Sequence, residues 1–232
     1  MVVRYAVVPT HNRHTDLRLL VAALWPQVDI TVIIDNASDP LVTVASVVPA
    51  GDVAGRTHVV RVVRDEEQPP NLYRLWNVAL DACDEHARAA GHGEWNIGVF
   101  NDDAAVPNGW FDHVASGLRG HPTAVVASTG AHGAVRRPTL LSSGKDGSVF
   151  QRMCPHAFVV RGEVGLRADE SFRWWWGDTD WDWRARRAGG VLLLPGPLVD
   201  NTRANSQTHG ELMRQTGVDR ETFVRKWGAA PW

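Results

Sequence analysis

The sequence predicts one α/β domain, a mostly parallel sheet flanked by helices. Three observations carry that expectation. Short apolar runs rich in β-branched residues alternate with stretches of helical period, the pattern of parallel strands joined by crossover helices. Successive runs end in polar clusters, and open parallel sheets bind ligands at those strand ends. A length of 232 residues, 44% apolar and 22% charged, suits one large domain and excludes a disordered or fibrous chain.

Residues 3–8 read as a buried strand, closed by Pro9 and followed by polar Thr10-His11-Asn12-Arg13. Leucines at helical spacing over residues 16–24 predict a helix, with Thr15 or Asp16 as its N-cap. Residues 30–34 form a second strand that runs into Asp35-Asn36-Ala37-Ser38-Asp39-Pro40, and residues 59–63 form a third. Pro69-Pro70-Asn71 opens a helix in which Leu72, Leu75, Trp76, Ala79, Leu80 and Cys83 share a face. The fourth strand, residues 95–100, ends in Asn101-Asp102-Asp103. Residues 130–150, rich in Gly, Ser and basic side chains, read as a mobile loop. Arg136, Arg137 and Lys145 would let it close on an anion as a lid. A strand over 155–161, a helix over 178–188 stopped by Gly189-Gly190, a strand over 191–194 and a tail helix over 211–227 complete the chain.

The charge balance excludes one class of partner. With 24 basic and 26 acidic side chains, the net charge of −2 lacks the basic excess of a nucleic-acid binder. Cys83 and Cys154 cannot build a disulfide framework, which fits a reducing, cytoplasmic setting. The longest apolar run breaks at Pro195, so no membrane span is expected, and residues 1–13 turn polar too soon for a signal peptide. The Ala, Val, Arg and Gly usage predicts a GC-rich bacterial or phage genome. Tryptophan stands out: 11 in all, five of them between Trp174 and Trp183.

Taken in order, these segments resemble the nucleotide-sugar glycosyltransferases of the large inverting, family 2-like group that includes cellulose, chitin and rhamnan synthases. Pro9-Thr10-His11-Asn12-Arg13 is similar to that family's Pro-Thr-Tyr-Asn-Arg opening, with His11 for tyrosine. Asp35-Asn36-Ala37-Ser38-Asp39 looks like its Asp-Asn-Ala-Ser-Thr-Asp segment. Asn71 to Asn77 resembles its Asn-x-Gly helix start, with Leu72 and Val78 at the glycine positions. Asn101-Asp102-Asp103 followed by Pro107-Asn108-Gly109-Trp110 resembles the metal-binding Asp-x-Asp motif and its trailing Pro-x-Gly-Trp. Asp169-Glu170-Ser171-Phe172 and Gly177-Asp178-Thr179-Asp180 to Arg184 are similar to the acceptor-side segment, with Gly177 where the family has glutamate.

The resemblance implies a GT-A (Rossmann-like) fold in one domain over 1–232. The nucleotide-sugar half would cover about 1–110, and the acceptor half with its C-terminal tail about 111–232. It implies a hexosyl-type transferase that moves a sugar from a UDP donor to a glycan or protein hydroxyl, with Mn²⁺ or Mg²⁺. Such cations suit carboxylate oxygens and retain waters, so one protein carboxylate can suffice. Asp103 would be that carboxylate, with His209 as a further ligand, and Asp102 would face the ribose or the metal's hydration. Thr10, His11, Asn12, Arg13, Asp35, Asn71 and Asn101 would line the nucleotide sugar. An Asx turn explains Asp35 in purely structural terms, and a helix N-cap does the same for Asn71. Trp175, Trp176 and Asp180 would face the acceptor, since sugar C–H faces pack on aromatic rings. Asp178 would be the general base, with Asp180 and Asp182 as competitors. On one helix Asp182 shares its face, and Asp180 points about 200° away.

Two rivals belong to other classes. A sugar-nucleotide nucleotidyltransferase would carry a Gly-rich phosphate loop after the first strand, and residues 9–13 hold no glycine. An inactive carbohydrate-binding module would use the tryptophans and leave Asp103 and Asp178 without a role.

Overall fold

The computed structural model describes residues 2–49, 58–130, 135–142, 151–201 and 210–228. Chain order runs β1 (Val3–Thr10), α1 (His14–Leu24), β2 (Ile30–Asn36), α2 (Val44–Val47), β3 (Val59–Asp65), α3 (Leu72–Ala89), β4 (Trp95–Phe100) and β5 (Ala104–Ala105). It continues through α4 (Trp110–Gly120), β6 (Val126–Ser128), β7 (Thr139–Leu141), β8 (Ala157–Arg161), α5 (Gly177–Ala188), β9 (Val191–Leu193), β10 (Asp200–Asn201) and α6 (Glu211–Trp227). Eight strands form one sheet in the order β3-β2-β1-β4-β8-β6-β9-β7. The first four are mutually parallel, as are β6 and β9, while β8 and β7 run against their neighbours. A small antiparallel pair, β5 with β10, sits apart from the main sheet.

Strand alternation divides the core between the two faces of the sheet. Val32 and Ile34 join a cluster with Tyr73, Trp76, Trp181 and Phe223 from α3, α5 and α6. Ile33 joins the other, with Leu17 and Leu20 of α1 and Trp110 and Phe111 of α4. Most tryptophans serve this packing: Trp76, Trp110 and Trp181 are fully buried, and Trp76, Phe158 and Trp181 meet edge to face. Truncating one such ring to alanine typically costs about 3–5 kcal/mol.

Helix ends follow local chemistry. Asn71 caps α3 by accepting from the backbone N–H groups of Tyr73 and Arg74 at 3.2 and 3.1 Å. In α5, Asp178 and Asp180 occupy the first turn and Arg186 and Arg187 the last, each favourable to the helix dipole. Gly189, at φ 156°, ends that helix.

Two expectations are corrected. Helix α1 begins at His14 behind Arg13, without the side-chain cap expected from Thr15 or Asp16. The stretch 130–150 is not one loop: β7 lies within it and pairs antiparallel with β9 at the sheet edge. Three residues with Leu140 exposed are too few to print a period. The rest of the expected lid, residues 131–134 and 143–150 with Lys145, lies outside the described residues. Helix α4 and strand β6 also emerge between the elements read from sequence. Among the described residues no helix is long and apolar enough to cross a membrane.

Candidate active site

The carboxyl ends of β1, β2 and β4 bring their polar clusters together. The Thr10 hydroxyl donates to Asp102 at 2.8 Å. Arg13, one turn beyond β1, pairs with Asp103 and lies 3.6 Å from Asp102. Burial pushes Asp102 up to about 6; Thr10 and Arg13 pull against that, and the neighbouring Asp103 adds to it. The β5–β10 pair sets Asn201 level with Ala104. With its amide oriented to donate, Asn201 reaches both oxygens of Asp103 at 2.7 and 2.5 Å. His156 stands beside this group and donates from Nε2 to the Val199 carbonyl at 2.8 Å. Burial alone would lower its pKa, but Cys154, Val199 and the Asp103 charge raise it. A cavity of ≈ 380 Å³ opens against Asp103, lined by Asp16, Leu20, Ala104, Val106 and Pro107.

The loops after β1 and β2 are tied to each other. The Asn12 N–H donates to the Ser38 hydroxyl at 2.9 Å, and Asn12 Oδ1 accepts from the Asp39 N–H at 2.7 Å. Asn12, Ala37 and Trp176 hold φ of 56°, 53° and 68°. Left-handed non-glycine backbone costs about 1–3 kcal/mol per residue, and such strain concentrates at functional sites. Here all three lie in loops bordering the proposed nucleotide and acceptor regions.

Several expected contacts turn inward instead. Asp35 is 0% exposed; it accepts from Ser38 and Val42 backbone N–H groups at 3.2 and 2.9 Å and pairs with Arg64. It therefore holds its own loop, and direct contact with a base is not open to it. Asn71 spends its oxygen on the α3 cap and its amide N–H on the Glu170 carbonyl at 3.0 Å. At Asn101 only the backbone is engaged among the described residues, its N–H donating to the His156 carbonyl at 3.1 Å, and the side chain keeps its place at the end of β4. His209 lies outside the described residues.

The residues expected on the acceptor side lie at the start of α5. The Asp178 side chain is 15% exposed and lies 3.7 Å from Arg152. Asp182 shares its face, as helical spacing requires, but is 1% exposed, pairs with Arg186 at 2.6 Å and accepts from the Met153 N–H at 3.0 Å. Burial raises its pKa, against Arg186 and the Met153 N–H. Asp180, expected to face the acceptor, points to α6: it is 0% exposed, accepts from Trp227 Nε1 at 2.9 Å and pairs with Lys226 at 2.7 Å. Trp176 likewise packs on Phe223 and donates to the Thr216 carbonyl at 3.3 Å. Trp175 remains exposed. Asp219 of α6 cradles this loop, accepting from the backbone N–H groups of Arg173, Trp174 and Trp175 at 3.2, 2.8 and 2.9 Å. Neither Asp219, Arg152 nor His156 carried a sequence signal, because each acts across a long chain separation.

Among the described residues no three His, Cys, Asp or Glu side chains cluster as a metal site. The adjacent carboxylates Asp102 and Asp103 nevertheless fit a hard, water-retaining cation. Their mutual repulsion contributes to the raised Asp102 pKa, and a dication would relieve it.

No protein-family model and no curated protein sequence matches the chain. Solved structures do. Glucosyl-3-phosphoglycerate synthase from Mycobacterium tuberculosis, in complex with Mn²⁺, UDP-glucose and phosphoglyceric acid, superposes with a TM-score of 0.61 at 12% identity. The match covers 97% of this chain and 80% of that one. The same enzyme in complex with UDP gives 0.59 at 12% identity over 97% and 80%. A further mycobacterial protein gives 0.56 at 13% identity over 97% and 75%. The sheet order, the flanking helices and these superpositions establish that this chain has the GT-A glycosyltransferase fold.

Proposed function

We propose that the protein is a metal-dependent, inverting glycosyltransferase that moves a sugar from a UDP donor to a hydroxyl acceptor. The observation that carries this reading is one arrangement. Asp102, Asp103, Thr10 and Arg13 converge at the strand ends of a GT-A sheet, and the segment from Arg152 to His156 connects them to Asp178. The neighbouring synthase, which binds UDP-glucose and Mn²⁺ in the same fold, supports the donor assignment.

The chain's own groups divide the work. Asp102 and Asp103 would hold the cation, with Arg13 and Asn201 fixing the Asp103 carboxylate. Held there, a divalent cation would supply positive charge against the departing diphosphate. Asp178 takes the proton from the acceptor hydroxyl as its oxygen bonds to the anomeric carbon. The C–O bond to the diphosphate breaks on the opposite face, which inverts the anomeric centre and releases UDP. Exposed Trp175 beside that helix start gives the acceptor an apolar face.

Titration calorimetry with UDP, with and without Mn²⁺, tests the reading. Binding should weaken on chelation, and Asp103→Ala should abolish the difference. Equal affinity after chelation would refute it. A nucleotidyltransferase would instead release pyrophosphate from a nucleoside triphosphate and a sugar phosphate.

A further inference from the structure

On the nucleotide-sugar reading above, the base lies toward the β2 end of the strand-end row, and the acceptors there are already occupied. Asp35 is 0% exposed, with Oδ1 on the Ser38 N–H and Oδ2 on the Val42 N–H and Arg64. His11 is committed as well. The Asn36 carbonyl can only accept, so His11 Nδ1 carries the proton and donates to it at 2.6 Å. His11 Nε2 is then an acceptor, and it meets the Asn12 amide N–H at 3.1 Å. Only the face of the imidazole remains for a ligand.

What stays open is a donor. The Arg64 side chain is 41% exposed, and among the described residues its guanidinium pairs only with Asp35. That contact uses one nitrogen of a fork of five N–H donors and leaves the others for a ligand. Position matters too. Thr10 is level with Asp35 across β1 and β2, and Asp35 is level with Arg64 across β2 and β3. Residues level on neighbouring strands project from the same face. Asp102, Thr10, Asp35 and Arg64 thus form one row, and Arg64 stands about 10 Å from Thr10, two strand spacings away.

We propose that Arg64, held by Asp35, reads the base of the nucleotide donor through a ring carbonyl, and so selects keto bases over amino bases. The inference rests on the nucleotide-sugar reading above and assigns base recognition to Arg64 in place of Asp35. Uracil presents a carbonyl oxygen where cytosine carries an amino group, and guanine does so where adenine carries one. Against an amino group the guanidinium would face donor to donor, leaving both unpaired, which is how a hydrogen-bonding site rejects a near-isostere.

Titration calorimetry with UDP, CDP, GDP and ADP, each with Mn²⁺, provides the test. The wild-type protein should bind UDP at least about ten-fold more tightly than CDP, the scale of one good base contact. Any GDP binding should exceed ADP binding likewise, and the UDP and GDP arms separate the two keto sources. Arg64→Met, isolated as a folded protein, should bring UDP and CDP to within about three-fold of each other. Should that variant not fold, Arg64→Gln keeps an N–H for Asp35 and is expected to lose the discrimination in the same way. A folded Arg64 variant with the wild-type ratio, or a wild type that binds CDP as well as UDP, would overturn the inference alone. Failure of all four nucleotides to bind would overturn the nucleotide-sugar reading with it.

Discussion

At Gly177 the backbone N–H donates to the Tyr73 hydroxyl at 3.0 Å, and the tyrosine ring fills the space a side chain would need. A Cβ there would meet Tyr73 ring carbons at 2.4 Å. That explains the glycine where the resembled family carries glutamate: the support of the helix start has passed to a tyrosine from α3. Tyr73 stays protonated for this task, pushed well above its usual range by burial and then by the Asp178 charge. Asp178 itself is the acid of its helix face that a ligand can approach, because Asp182 is buried on Arg186 and the Met153 N–H. Asp178→Asn should therefore keep donor affinity in calorimetry but lower sugar transfer by about 10²–10⁴-fold, the range of a general base. Transfer near the wild-type rate in that variant would remove Asp178 from the mechanism.

Helix α6 is the element that holds the loop of the proposed acceptor side. Its Asp219 is fully buried and collects the N–H groups of residues 173–175. Each buried N–H left without a partner costs about 1–3 kcal/mol. Asp219→Ala should thus lower the melting temperature and speed amide hydrogen exchange at Trp174 and Trp175; unchanged exchange there would deny α6 this role. A second tie joins Lys226 of α6 to Asp169. Burial would raise the Asp169 pKa, but Lys226 and Ser171 reverse that and hold it at about 2. A carboxylate depressed in the folded state stabilises above its unfolded pKa of about 4, and this is lost as pH falls through about 2. In urea unfolding, the gap between wild type and Asp169→Asn should close between about pH 4 and pH 2. A gap independent of pH in that window would contradict the pairing.

On the scale of the whole molecule, the proposed nucleotide side lies at the ends of the four parallel strands from β3 to β4, and the proposed acceptor side lies among the later strands and helices. A donor bound across those strand ends stabilises only the folded state. At a hundred times Kd, UDP with Mn²⁺ should add about 2.7 kcal/mol. For a chain of this size that is a rise of roughly 5–10 °C in melting temperature. A melting curve unmoved by saturating UDP and Mn²⁺ would argue against a preformed site.

Local pattern alone determined where β1, β2, β3, β4, β8 and β9 and helices α1, α3, α5 and α6 lie, because apolar period and the Gly and Pro stops are written over a few adjacent residues. It also determined that Thr10, Asp102 and Asp103 would meet, since parallel strands bring their carboxyl ends to one edge. The shared face of Asp178 and Asp182 followed from helical spacing in the same way. Only the tertiary structure decided which polar atoms remain for a ligand. Asp35 is taken by Arg64, 29 residues away; Asn71 by Glu170; Asp180 by Lys226 and Trp227; Trp176 by Phe223 and Thr216. Whether a side chain is saturated depends on partners brought by chain crossings, and no local period records them. A three-residue edge strand such as β7 is likewise specified by its pairing with β9 and not by its own sequence.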